Sequence, residues 1–169
     1  MRALGSQSNS LEIVKTDGSK PERIGNHTIT GKLGVSPDGQ WVLATVVGSS
    51  GRLMAVPVHG GGAAVPICAD DCAAAWSTDG KSFRVRPGVH ANDDATISTA
   101  PQVRTLLIPV PGGRGLPVLP ASGIPSDPAW QGPPGTQLID RNMLSALDAR
   151  TYAFVRSDLQ RNLFRIPIH

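Results

Sequence analysis

An all-β fold follows from three observations on this 169-residue chain: its apolar segments are short, its glycines and prolines are many, and one turn-plus-strand unit recurs. Gly 19 and Pro 15 together make about a fifth of the residues, against an ordinary share near ~12%. They are spread along the chain, which argues against long helices. Hydrophobic residues at 40% supply a core and argue against disorder. The length suits one domain. No apolar run is long enough to span a bilayer, and residues 1–6 open no apolar export signal.

The recurring unit begins with a corner. Ser36-Pro37-Asp38-Gly39 leads into Gln40-Trp41-Val42-Leu43-Ala44, and 41 residues later Ser77-Thr78-Asp79-Gly80 leads into Lys81-Ser82-Phe83-Arg84-Val85. Pro37 presets φ at the second turn position, Asp38 and Asp79 can accept from nearby backbone N–H groups, and Gly39 and Gly80 tolerate positive φ. Val35 and Trp76 precede the two corners at matching positions. Asp148-Ala149-Arg150-Thr151-Tyr152-Ala153-Phe154-Val155 reads as a third copy that has lost its glycine.

A second element alternates with the first. Met54-Ala55-Val56-Pro57-Val58, Leu106-Leu107-Ile108-Pro109-Val110 and Phe164-Arg165-Ile166-Pro167-Ile168 share the order apolar, any, β-branched, proline, β-branched. Proline cannot donate to a ladder, so it belongs at the end of a strand, where these turns begin. Leu11-Glu12-Ile13-Val14 resembles an earlier copy without proline. Glu22-Arg23-Ile24, Val65-Pro66-Ile67 and Leu116-Pro117-Val118-Leu119 are the expected partner strands. Residues 88–102 and 120–137 are expected surface loops. The spacing of Leu144, Leu147, Tyr152, Val155, Leu159, Leu163 and Ile166 also suits an amphipathic helix. The match of both ends of that segment to the upstream repeats selects strands instead.

A unit of roughly 40–45 residues holding four short strands has the period of a β-propeller blade. The Trp76-Ser77-Thr78-Asp79-Gly80 and Ser36-Pro37-Asp38-Gly39 corners resemble the WD-repeat-like repeats of TolB-type propellers. The ending at 151–155 and 160–167 resembles the C-terminal propeller regions of bacterial serine/threonine protein kinases. The resemblance implies a partial propeller, an open arc of three to four blades, with approximate units at 10–30, 31–72, 73–120 and 121–169. It implies a non-catalytic module for protein or small-ligand interaction within a larger bacterial regulator, any kinase activity lying outside this chain. The alternative is the propeller accessory of a dipeptidyl or prolyl peptidase whose catalytic domain lies elsewhere. Closed propellers have 4–8 blades, so missing blades or self-association are expected to cover the open ends. The compartment is left open, periplasmic if the parent is exported.

The chemistry-bearing residues are few. Cys68-Ala69-Asp70-Asp71-Cys72 has three open readings: two small buried residues beside an acidic turn, a local disulfide, or half of a zinc site that lacks its other ligands. His90-Ala91-Asn92-Asp93-Asp94 is too short for a calcium loop and reads as a solvated tip. Ser36, Pro37, Asp38, Gly39, Ser77, Asp79 and Gly80 are turn residues. No nucleophile elbow or P-loop is present, so no catalytic, cofactor or metal residue is expected. The net charge of +3 is small. The basic residues Arg141, Arg150, Arg156, Arg161 and Arg165 alternate with Asp140, Asp148 and Asp158, which excludes a phosphate-tracking stripe and hence nucleic acid. Trp130, in a proline-rich segment, is the aromatic available for recognition.

Overall fold

In the computed structural model the described residues are 9–48, 52–59, 62–89, 104–112, 115–140, 143–145 and 152–154, and among them there is no helix. Strands β1 (Asn9–Ile13), β2 (Glu22–Val35), β3 (Trp41–Val46), β4 (Leu53–Pro57) and β5 (Val65–Pro66) form one antiparallel sheet in chain order. Strands β6 (Cys72–Trp76), β7 (Ser82–Pro87), β8 (Thr105–Pro109) and β9 (Gln137–Ile139) form a second. Strands β10 (Met143–Ser145) and β11 (Tyr152–Phe154) pair with each other. The fold is all-β, and none of these sheets closes into a barrel.

The two larger sheets share one register. Val35 faces Val42 across the first corner, and Trp76 faces Phe83 across the second. Trp41 pairs with Pro57 and Ser82 with Pro109, so each proline ends its strand opposite the first residue after a corner. Ala55 pairs with Val65 as Leu107 pairs with Gln137. Strands β2–β5 and β6–β9 are thus two copies of one four-stranded unit, and β1 adds a fifth strand to the first.

Packing uses opposite faces of the two copies. Leu43, Leu53 and Ala55 of the first sheet meet Ala74, Phe83, Val85, Leu106 and Ile108 of the second in one buried core. By register, Phe83, Val85 and Ile108 occupy the places of Val42, Ala44 and Val56, which lie on the other face of the first sheet. That other face forms a second core with Leu11, Ile24 and Ile29. The sheets therefore stack back to front, as successive repeats do, and not face to face as mirror-related partners would. The outer face of the second sheet is also buried: Arg86 is 1% exposed and Thr105 0%. A charged side chain so deep is uncommon, and Arg86 and Thr105 both have interaction partners.

Several expectations change. Residues 116–119 form no strand; β8 takes its neighbour from Gln137–Ile139, beyond residue 120. Pro117 and Pro120 remove N–H groups a ladder would need, and Leu116 and Leu119 pack against the shared core instead. The expected surface loop 120–137 forms no strand before Gln137 and is largely exposed, but its Ile124 is fully buried. The rival helix is not formed at β10 or β11. Residues 90–94, most of the third corner copy and the Phe164-Arg165-Ile166-Pro167-Ile168 element lie outside the described residues. Among the described residues no helix is long and apolar enough to cross a membrane.

Candidate functional site

The two corners are built from the same bonds. In the first, the Ser36 hydroxyl donates to Asp38 Oδ1 at 2.5 Å and accepts from the Trp41 N–H at 2.9 Å. In the second, the Ser77 hydroxyl donates to Asp79 Oδ1 at 2.6 Å and accepts from the Ser82 N–H at 3.0 Å. The Gln40 and Lys81 N–H groups each donate to the same aspartate oxygen of their own corner, both at 3.0 Å. Gly39 and Gly80 close the turns onto Ser36 O and Ser77 O, with φ of 72° and 69°. Pro37 and Thr78 occupy the same place, so proline is an aid to the corner and not a condition of it. The Ser77 hydroxyl, then the Lys81 backbone N–H, hold the Asp79 carboxyl below its ordinary value of 3.8.

Back-to-front stacking brings the two corners to one end of the molecule, with a groove of about 680 Å³ between them. Pro37, Asp38 and Gln40 form one bank, Asp79, Gly80 and Lys81 the other. A second hollow of about 560 Å³ continues from it past Asp38, Gln40 and Gly115 to Trp41, Pro57, His59 and Pro117. One half of the combined surface is polar, with two carboxylates and the Lys81 ammonium; the other is an apolar wall of tryptophan and proline. Among the described lining residues none is serine, threonine or cysteine.

Gly115 is the joint of this arrangement. Its carbonyl accepts the Trp76 indole N–H at 2.7 Å. A Cβ built on it would lie 2.5 Å from Asp38 Oδ2 and 2.6 Å from Trp41 Cδ1, so only glycine lets this backbone enter between the sheets. The two tryptophans, one from each sheet, thus meet the same residue. Sequence reasoning missed this, because residues 76 and 115 share no local signal.

The remaining candidates lie elsewhere. Trp130 does not line the groove; it is half-buried against the shared core. Its carbonyl, with those of Asp127 and Pro128, accepts from the Arg104 guanidinium. That grip holds the 127–130 turn down, and the ring packs in part against the core. Cys68 and Cys72 are paired in a disulfide, with Cα atoms 6.2 Å apart, and both are buried. Among the described residues no three His, Cys, Asp or Glu side chains come together in a way that could hold a metal ion. Comparisons with protein-family models, with curated proteins and with solved structures give no match.

Proposed function

We propose that this chain is a β-propeller-type interaction module, akin to the C-terminal propeller regions of bacterial serine/threonine kinases, and that the paired-corner groove receives a protein segment or small ligand. The observation that carries the reading is the back-to-front stacking of two units in one register. A repeat that covers its neighbour's face with its own opposite face can be extended in both directions, as blades are. Such a scaffold holds its corners rigidly and side by side, and function on rigid scaffolds concentrates in the exposed connections. The groove offers contact chemistry with no serine, threonine or cysteine among its described lining residues: carboxylates, an ammonium, an amide and an apolar wall. Catalysis, in this reading, belongs to a companion domain.

Selection of a displayed peptide library on the immobilised chain tests the reading. Enriched binders should lose at least tenfold in affinity on Gln40→Arg and on Lys81→Glu, both exposed groove positions. Binding indifferent to both changes overturns the groove as the site. Turnover of ester, amide or phosphoester probes by the purified chain overturns the non-catalytic assignment.

A further inference from the structure

The chain passes from the first sheet to the second through residues 67–71, and the alignment of the sheets at that end depends on how this connector is held. The Ile67 N–H donates to Leu53 O at 3.0 Å, and the Gly88 N–H donates to Asp71 O at 2.8 Å. Between these ties the disulfide joins Cys68 to Cys72, the first residue of β6. Both cysteines are 1% exposed.

They belong to the shared core, and segment 120–126 lies against their loop. The Ile124 N–H donates to Ile67 O at 2.8 Å and Ile124 O accepts from the Ala69 N–H at 2.9 Å, a single isolated parallel bridge. Ile124 is fully buried over the disulfide loop. Gly123, at φ +86°, lies so close that a Cβ there would come 2.5 Å from the carbonyl carbon of Cys68. Ser126 Oγ donates to Asp70 Oδ2 at 3.0 Å, an exposed bond. A segment tied by an isolated bridge and an exposed side-chain bond, with Ile124 as its buried anchor, opens at lower free energy than a continuous ladder.

We propose that the Cys68–Cys72 disulfide is an exchangeable latch on the seam between the sheets, reached by a dithiol reductant when segment 120–126 lifts. A thiolate of the dithiol attacks one cysteine sulfur, the S–S bond breaks, and the other cysteine leaves as thiolate. The second thiol of the reductant then displaces the mixed disulfide. Cys68 and Cys72 end as thiols carrying the two protons given up by the reductant, which is oxidised by two electrons to its own disulfide. Reduction frees the connector while the ladders of both sheets persist.

The test treats the native chain with dithiothreitol, alkylates it, and follows mass and amide exchange. The expected result is alkylation of both cysteines only after reductant, with exchange at least tenfold faster at Ile67, Ala69, Gly88 and Ile124 and unchanged within β3, β4 and β7. Ile124→Ala, and less so Ile124→Val, should speed reduction, by at least tenfold for alanine, whereas exposed Val118→Ala should not. Cysteines alkylated before any reductant, a bond that resists reduction in the native chain, unchanged exchange after reduction, or protection lost throughout the chain would each overturn the latch.

Discussion

The two four-stranded units share corners and register yet fill their cores differently. At the place where the second unit sets Trp76 edge-on to Phe83, with ring centroids 5.3 Å apart, the first sets Val35 against Val42. Val35 is 60% exposed where its counterpart Trp76 is half-buried, while Val42 and Phe83 are both buried. The corner is a backbone device closed by a hydroxyl, a carboxylate and a glycine, and it is indifferent to the residues that precede it. What those residues must be depends on which neighbour covers them. The Trp76 indole is tied to the Gly115 carbonyl, whereas Val35 at the corresponding place is left largely exposed among the described residues.

The largest test of this difference is truncation at the shared position. Phe83→Ala should cost about 3–5 kcal/mol, the usual loss for a large buried ring. Val42→Ala, at the same register, should cost about 2 kcal/mol from the methyl groups withdrawn from burial. Urea unfolding midpoints give both numbers, and equal losses would mean that the two cores bear equal weight. Next come two glycines of similar φ. Gly123→Ala, at +86° and against the Cys68 backbone, should cost about 3 kcal/mol or more by forcing the connector apart. Gly48→Ala, at +90° with nothing within 4 Å, should cost only the conformational penalty of about 1–2 kcal/mol.

The corners themselves sharpen the comparison further. Ser77→Ala strands the N–H of buried Ser82, an expected loss of about 1–3 kcal/mol. Ser36→Ala strands the N–H of half-buried Trp41 and should cost less. The smallest effect is acid sensitivity. Asp79 is lowered by the Ser77 hydroxyl and the Lys81 N–H, and Asp17 by the Ser19 backbone N–H. With folded values below unfolded ones, each contribution is whole above about 3.8 and is lost as pH falls through the folded value. Carboxyl titration by NMR should place both midpoints below 3.8, and Asp79→Asn should flatten the decline of the unfolding midpoint on the acid side.

Much of the scaffold was legible in the residues. The Ser-x-Asp-Gly order contains every atom the corner uses, since its bonds close within five residues, and Pro57 and Pro109 mark strand ends because they cannot donate. The reading failed where partners are distant. Leu116-Pro117-Val118-Leu119 has strand composition, but β8 pairs with Gln137–Ile139, whose polar first residue gave no signal. No local signal around Trp130 shows that Arg104, 26 residues earlier, donates to its carbonyl. The groove was invisible for the same reason, since its banks are separated by the full repeat.

Sequence alone determined the all-β class, the two corners and the places where strands must stop, because these rest on local sterics and hydrogen bonds closed within a few residues. The tertiary structure decided which face of each sheet is inside, that Cys68 meets Cys72 beneath Ile124, and that both corners open onto one groove. Those outcomes depend on stacking two copies back to front around Gly115. Nothing in either copy encodes that arrangement until the apolar faces of both must be covered at once.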